Sequence, residues 1–329
     1  MSCNKPLVAY RIRDKIVFNP EGATSPYTVA KPFNLPCGKC WKCRLTYART
    51  WAIRCMHETQ GKKSSFLTLT YNEDHLPKDG SLNVRHFQLF MKKLRNKTKI
   101  KKLRFFHSGE YGEKLGRPHY HALIFGYDFP DKEYFKPSKP SPFNKNKEEK
   151  FKLYTSQELN ELWQYGYAII GDVTFQSASY VARYIMKKIN NDKNHYHKID
   201  PDTGEVLFSL KPEYCTMSRR PAIGKEWYEN NGWQSCHAND RISININDKY
   251  YYLKPPRYYD ELYKQETLDK AAYSFPYPED YEIMKEKRIE KQDDVTFENY
   301  LDPSSRLYQL DKVFENKIKK QIRQIEVDS

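Results

Sequence analysis

The sequence predicts an α+β fold with an antiparallel β-sheet. Two observations lead to this prediction. Short segments rich in β-branched and aromatic residues alternate with segments of helical periodicity, and the connections between them are short. We expect the helices to cover one face of the sheet. Three regions are expected: residues 1–60 with a cysteine cluster and a helix, residues 61–190 with the sheet, and residues 191–329 as a mixed, partly helical extension.

The elements of the first half follow from residue type and period. Residues 1–35 have no helical period and are expected to be irregular or β-rich, and residues 37–44 are expected to form a turn. The next expected elements are a helix at 45–60, a strand at 66–71, an amphipathic helix at 85–94, and strands at 103–107 and 118–127.

The elements of the second half depend more on turn and cap residues. Residues 129–152 are rich in Pro and Lys and are expected to be a surface insertion. Ser156 is expected to cap a helix that ends near Tyr165, and a strand at 167–175 precedes a helix capped by Ser177 or Ser179. Later expected elements are a hairpin or loop at 190–214 with a turn at 202–204, and helices at 281–292 and 307–325.

The net charge of +14 is unevenly distributed along the chain. Residues 85–117 contain 11 Lys and Arg but only 2 acidic residues, whereas residues 257–329 contain 13 basic and 17 acidic residues. This distribution predicts a nucleic-acid surface on the N-terminal part, and a solvated charged face is the alternative. The charged residues 1–18 do not form a signal peptide, and no run of 18 apolar residues predicts a membrane span.

His119 and His121 lie two residues apart in a predicted strand, so their side chains point to the same face. Both faces of this strand are largely apolar, which indicates a covered sheet. Two half-exposed histidines without a metal are the alternative. The second such pair, His195 and His197, lies in a polar stretch that we expect to be a solvated loop.

The upstream glycine-bearing segment offers a carboxylate as third ligand, from either Glu110 or Glu113. A carboxylate with two imidazoles suits Mg²⁺ or Mn²⁺, and Zn²⁺ is an alternative. Such an ion would polarise a phosphodiester and neutralise its developing charge.

Tyr180 and Tyr184 share one face of a predicted helix with Arg183 and Lys187, because these positions follow helical spacing. A tyrosine phenolate can attack phosphorus and form a covalent intermediate. The phenol ionises near pH 10, so a basic neighbour such as Arg183, Lys187 or Lys188 is needed. A pair of core aromatic residues is the alternative.

Cys37, Cys40 and Cys43 form a cluster that predicts a structural Zn²⁺ site with Cys55 or His57 as a further ligand. The spacing differs from that of zinc ribbons. Reduced thiols at the start of a helix are the alternative, since we expect a cytosolic protein.

Several motifs in the same order resemble the replication initiation proteins of the Microviridae, most closely their gokushovirus branch. These are HUH endonucleases of the rolling-circle Rep type. The resemblance covers about residues 35–188. The matching motifs are Pro36-Cys-Gly-Lys-Cys-Trp-Lys-Cys-Arg44, Trp51-Ala-Ile-Arg-Cys-Met-His-Glu58, Phe66-Leu-Thr-Leu-Thr-Tyr71, Gly109-Glu-Tyr-Gly112, Arg117-Pro-His-Tyr-His121 and Tyr180-Val-Ala-Arg-Tyr184.

The resemblance implies an HUH endonuclease domain with a central five-stranded antiparallel sheet and flanking helices. His119 and His121 match the histidine motif, and the family's upstream glutamate points to Glu110. Tyr184 with Lys187 fits the family's tyrosine motif, and the second tyrosine, Tyr180, places the chain with the two-tyrosine class.

The implied activity is that of a metal-dependent DNA nickase and strand transferase. It would form a 5′-phosphotyrosyl intermediate at a phage replication origin, and would start and finish rolling-circle replication in the host bacterial cytoplasm. Implied partners are single-stranded DNA and the host polymerase and helicase, without a membrane. The alternatives are a non-enzymatic basic DNA-binding or packaging protein, and a relaxase or transposase with the same site.

Overall fold

Two compact units make up the described part of the chain. One contains the described residues up to Tyr47 and those from Asp260 to Ala271, and the other runs from Ala48 to Tyr259. The structure is a computed structural model. It describes residues 3–12, 15–18, 24–25, 28–29, 32–100, 102–112, 115–137, 152–187, 197–199, 205–232, 236, 241–246 and 249–271.

The N-terminal unit contains a small antiparallel sheet in the order β2-β1-β5. Its strands are β1 (Leu7–Ile12), β2 (Lys15–Val17) and β5 (Pro32–Leu35), with a short hairpin of β3 (Thr24–Ser25) and β4 (Thr28–Val29) between them in sequence. The prediction of a β-rich lead-in is confirmed. Helix α1 (Trp41–Thr59) begins four residues before the predicted start, so Cys43 lies in its first turn.

A seven-stranded antiparallel sheet forms the centre of the larger unit, in the order β14-β7-β8-β6-β11-β10-β9. Its strands are β6 (Ser64–Tyr71), β7 (Arg104–Tyr111), β8 (Pro118–Phe125), β9 (Glu133–Pro137), β10 (Lys152–Thr155), β11 (Gly166–Gly171) and β14 (Tyr214–Met217). The family resemblance implied five strands, and that number is wrong here. The sheet also recruits β14 from the region after residue 191, and it gains a hairpin of β9 and β10 at the other edge.

That edge hairpin corrects the prediction for residues 129–152. Their first part forms β9, whose five residues are exposed, and Lys152 begins β10. Residues 138–150 of the predicted insertion lie outside the described residues. Lysine and proline are residues that blunt an exposed sheet edge, which is why the sequence of an edge strand lacks apolar periodicity.

Helices pack on both faces of the central sheet, which corrects the prediction that they cover one face. One face carries α2 (Val84–Thr98) and α3 (Gln157–Leu162), and the other carries the second half of α1 and α4 (Phe175–Lys187). Strand β8 shows the cause, since Tyr120 and Ile124 are buried on the first face while Leu123 and Phe125 are buried on the second. Two apolar faces need two covering layers.

The helix starts follow cap chemistry. The Ser156 hydroxyl accepts a hydrogen bond from the Leu159 N–H at 3.0 Å, so the predicted cap of α3 is confirmed. The predicted caps of α4 are wrong. Thr174 precedes the helix and accepts from the Ser177 N–H at 3.1 Å, while the Ser177 hydroxyl accepts from the Thr174 N–H at 2.8 Å. Ser177 is therefore the third helical residue of a reciprocal capping pair.

Strand β7 continues to Tyr111, well beyond the predicted end at His107. Gly109 suggested a turn, but its role is close packing. A Cβ atom at Gly109 would lie 2.7 Å from Cε1 of Tyr214 on β14, so only glycine leaves room for this ring.

The remaining elements follow the sheet in sequence. They are the hairpin of β12 (His197–Ile199) and β13 (Val206–Ser209), α5 (Lys225–Gly232), the hairpin of β15 (Ile242–Ile246) and β16 (Lys249–Leu253), and α6 (Arg257–Ala271). The predicted hairpin after residue 190 is confirmed, but it places His197 in a strand rather than in a loop. His195 and the helices predicted at 281–292 and 307–325 lie outside the described residues. Within the described part, no helix has the length and apolar character to cross a membrane.

Candidate active site

The pairing of β7 with β8 brings one carboxylate and two imidazoles to a single point. Glu110 lies directly opposite His119 in the ladder, and Ser108 lies opposite His121. Oε1 of Glu110 is 2.8 Å from Nε2 of His119 and 2.7 Å from Nε2 of His121. The predicted convergence of the two histidines is therefore present, and the register adds Glu110. Glu113 lies outside the described residues.

The charge state of this cluster follows from its burial. Burial alone would raise the pKa of Glu110, but His121 and His119 hold it at about 2, so the group is a carboxylate at neutral pH. Burial lowers the pKa of His121 against the opposing effect of Glu110, which favours its neutral ring. An ionised carboxylate and a neutral imidazole are the forms that bind metal ions.

The outer ring nitrogens are held by two groups of the same sheet. Nδ1 of His119 lies 3.1 Å from the carbonyl oxygen of Arg117, and Nδ1 of His121 lies 3.1 Å from the hydroxyl of Thr68. A carbonyl only accepts, so Nδ1 of His119 carries the proton and its Nε2 presents a lone pair to the cluster. This is the arrangement that orients histidine ligands in metal sites.

The residues present fit a divalent cation. Oε2 of Glu110 is buried and has no hydrogen-bond partner within the described part of the chain. The three ligand atoms lie within 4.8 Å of one another. Metal–ligand bonds of about 2.1 Å at right angles place ligand atoms about 3 Å apart, close to the two separations found here. His107, which is near these residues in sequence, points to the opposite face and stacks on Phe87 at 3.4 Å.

Helix α4 places the hydroxyl of Tyr180 beside the cluster. It lies 3.4 Å from Oε1 of Glu110 and 3.5 Å from Nε2 of His121. The ring of Tyr180 meets the His121 ring edge-on, with centroids 5.0 Å apart at 90°. Tyr184 and Lys187 lie one and two turns further along α4, and their side chains are outside the described part of the structure.

Two neighbours of the cluster were not identified from the sequence. Thr68 supports His121, and Phe66 stacks on the His121 ring with centroids 5.7 Å apart and an angle of 14°. The alternation of Phe66, Thr68 and Thr70 in β6 could have placed all three on one face. The pairing of β6 with β8 could not be deduced from that pattern.

A row of four side chains crosses the sheet at the level of the cluster. Tyr167 of β11 lies opposite Thr70 of β6, Thr70 lies opposite His119, and His119 lies opposite Glu110. The Tyr167 side chain is 68% exposed. It is two strands from His119, or about 10 Å at the usual strand spacing.

The cysteine cluster has a different composition from the predicted one. Cys37, Cys40 and Cys43 are joined by Cys3, and their four sulfur atoms lie within 4.8 Å of one another. The predicted further ligands Cys55 and His57 are wrong. Cys55 is buried in the core between α1, α4 and the sheet, and the His57 ring stacks on Trp227 at 3.5 Å.

Comparison with known proteins gives consistent results. Residues 64–189 match the family model of the ORF2-type replication-associated proteins. The chain is 33% identical over 284 residues to Replication-associated protein VP4 of Bdellovibrio phage phiMH2K, which covers 82% of this chain and 79% of that protein. It is 28% identical over 305 residues to Replication-associated protein ORF2 of Spiroplasma virus 4, which covers 88% and 86%.

A third relative, Replication-associated protein ORF4 of Chlamydia phage 1, is 35% identical over 160 residues, which cover 47% of this chain and 39% of that protein. No solved structure matches the chain. The identity and coverage of the VP4 relative, together with the family match over the central sheet, place the chain in one family. The chain belongs to the replication-associated proteins of Microviridae-like phages, as its motifs predicted.

Proposed function

We propose that this chain is a replication initiation endonuclease that cuts one DNA strand through a tyrosine and later rejoins strand ends. The observation that carries the proposal is the position of the Tyr180 hydroxyl, within 3.5 Å of both Glu110 and His121. A tyrosine that served only the core would not need its hydroxyl beside a buried carboxylate and an imidazole. Membership in the replication-associated family supports the same function.

Glu110, His119 and His121 would hold one Mg²⁺ or Mn²⁺ ion in this proposal. When bound, the ion would withdraw charge from a phosphodiester oxygen and so make the phosphorus easier to attack. Thr68 and the Arg117 carbonyl fix the two histidine rings, so the ligand geometry exists before DNA binds.

The cutting step uses the phenolic oxygen of one tyrosine as the nucleophile. It forms a bond to phosphorus while the bond from phosphorus to the 3′ oxygen breaks. The phenolic proton passes to water or to a basic side chain, and the departing 3′ oxygen takes up a proton to become a 3′ hydroxyl. The 5′ end then remains on the tyrosine as a phosphodiester, so no oxidant and no nucleotide cofactor are needed. Rejoining is the same exchange in reverse.

Tyr184 is the proposed second nucleophile, with Lys187 as its basic neighbour. Residues four apart on a helix lie on one face with about 5–6 Å between their Cβ atoms. The two hydroxyls can therefore alternate at one cluster, so that the second cut and the release of the first strand end occur in one site. The 3′ hydroxyl from the first cut would prime host polymerase, with helicase as a further partner in the host bacterial cytoplasm.

Charge favours a DNA substrate but does not separate an enzyme from a binder. Residues 85–117 contain 11 basic residues, and β7, which carries Glu110, lies within this segment. A DNA-binding or packaging protein without activity would show the same charge. It would have no use for a hydroxyl beside the metal-type cluster. A relaxase or transposase would share the chemistry and differ in the DNA that it recognises.

A covalent adduct test separates these functions. Single-stranded oligonucleotides that tile the phage genome, each labelled at the 3′ end, are incubated with the full chain and Mn²⁺. We expect one oligonucleotide to give a labelled band on the protein that survives denaturation. The label must be at the 3′ end because the 5′-phosphorylated fragment is the one that stays bound.

Variants assign the chemistry to the residues. Tyr180→Phe with Tyr184→Phe should abolish the adduct and leave DNA binding nearly unchanged, because only the two hydroxyls are removed. Tyr134→Phe, an exposed tyrosine on β9, is the matched control and should react like the unmodified chain. An adduct of normal yield in the double variant would rule out tyrosine catalysis, and no adduct with any oligonucleotide would favour the binding protein.

A further inference from the structure

Four cysteines from two separate parts of the N-terminal unit bring their sulfur atoms together. Cys3 precedes β1, whereas the other three follow β5, and Cys3 and Cys37 are 34 residues apart in sequence. Sγ of Cys3 is 3.7 Å from Sγ of Cys40, and all four sulfurs lie within 4.8 Å of one another. Zinc–sulfur bonds of about 2.3 Å in a tetrahedron place the sulfurs about 3.8 Å apart. The Cys3–Cys40 separation matches this value.

The backbone around the cluster is arranged to stabilise thiolates. The N–H of Cys37 donates to Sγ of Cys3 at 3.3 Å, the N–H of Lys5 donates to the same sulfur at 3.4 Å, and the N–H of Cys40 donates to Sγ of Cys37 at 3.3 Å. Gly38 makes the last contact feasible, because its φ of +70° turns the chain sharply between the two cysteines. Amide hydrogen bonds to sulfur hold ligands in place and favour their ionised form.

The N-terminal sheet has little core of its own. Among the described side chains from Cys3 to Tyr47, only Asn4 and Ala9 are buried. A small sheet that buries so little apolar surface needs another source of stability, and a metal ion is a common one. The cysteine cluster lies at the point where the chain before β1 meets the chain after β5.

We propose that Cys3, Cys37, Cys40 and Cys43 bind one structural Zn²⁺ ion, which joins the segment before β1 to the loop after β5 and the first turn of α1. Thiolates are soft ligands that select zinc over Mg²⁺ or Mn²⁺. Four protein ligands leave no open position for a substrate, so this ion serves the fold and takes no part in chemistry. The proposal does not depend on the strand-cutting function.

Metal content measures the proposal directly. The full chain is purified without chelator, and its zinc is counted by mass spectrometry of the element. We expect about one zinc per chain, and a loss of nearly all of it in Cys3→Ser, because three thiolates hold zinc much less tightly than four. Cys215→Ser removes a thiol from β14 and is the matched control, which should keep its zinc. Full zinc content in Cys3→Ser would overturn the assignment of Cys3.

X-ray absorption at the zinc edge tests the ligand set even if Cys3→Ser does not fold. The measurement uses His119→Ala with His121→Ala, so that zinc at the other cluster does not contribute. We expect four sulfur neighbours at about 2.3 Å. A shell that contains nitrogen or oxygen would overturn the proposal. So would a chain that carries no zinc and instead links these cysteines as disulfides.

Discussion

Thr68 shows how a single side chain outside the ligand set can control the candidate site. Its hydroxyl lies 3.1 Å from Nδ1 of His121, the ring nitrogen that points away from Glu110. Phe66 stacks on the same ring and prevents it from tilting. The hydroxyl therefore decides both the orientation of the imidazole and which nitrogen carries the proton.

Thr68→Val removes this contact and keeps the shape of the side chain. We expect the affinity for Mn²⁺ to fall about 10- to 100-fold, which is the usual effect of losing a group that orients a ligand. Titration of the full chain with Mn²⁺ measures it. Thr70→Val is the matched control, because the Thr70 hydroxyl donates to the Tyr167 carbonyl rather than to a ligand. Thr68→Ser should restore the affinity, and equal affinities in both valine variants would contradict this role.

At the scale of elements, pairing register positions the site more than any loop does. Residues of β11, β6, β8 and β7 form one row from Tyr167 to Glu110, all on the face of the candidate site. Three of these strands contribute to the cluster or to its supports. Tyr167 at the end of the row is exposed and has no part in the core.

Tyr167 is placed to stack on a base of the strand that is being cut. We expect Tyr167→Ala to weaken the binding of a single-stranded oligonucleotide by about 1–3 kcal/mol, the usual contribution of one base on an aromatic ring. Fluorescence anisotropy at fixed salt measures the affinity. Tyr134→Ala on β9 is the control, since it is 58% exposed but lies two strands further from β8. Equal losses in the two variants would show that exposed tyrosines act without regard to position.

At the scale of the whole molecule, buried histidines make stability depend on pH. Burial lowers the pKa of His57 to about 3 and places the pKa of His107 well below its usual value. Both rings therefore fold in their neutral form. The unfolded chain binds protons at these residues from about pH 6.5 downward, so stability must fall as pH falls. The effect of His57 continues until about pH 3.

His57→Phe isolates this effect. Below about pH 6, each such histidine makes the free energy of unfolding fall by up to about 1.4 kcal/mol per pH unit, and the variant should lose the share of His57. Urea unfolding at several pH values between 7 and 5 gives the two slopes. The variant also loses the hydrogen bond between His57 and Tyr259, so its stability at pH 7 will differ, but the slope reports protonation alone. Identical slopes would contradict the neutral buried state of His57.

Local pattern in the sequence determined much of this protein. The alternation in β8 placed His119 and His121 on one face and predicted that both faces of the sheet are covered. Helical spacing placed Tyr180 at the margin of an apolar stripe, and Ser156 marked the start of α3. These properties follow from the period of a strand or a helix and from short-range hydrogen bonds, which neighbouring residues fix without reference to the rest of the chain.

Tertiary structure decided the features that join distant parts of the chain. Only the ladder between β7 and β8 brought Glu110 to the histidines, and only the return of the chain after β5 brought Cys3 to the other cysteines. The same holds for β14, which completes the sheet from the C-terminal side, and for the layer of helices on each face. A one-residue change of register would move Glu110 to the opposite face, so its partnership depends on the packing of the whole sheet and not on its neighbours in sequence.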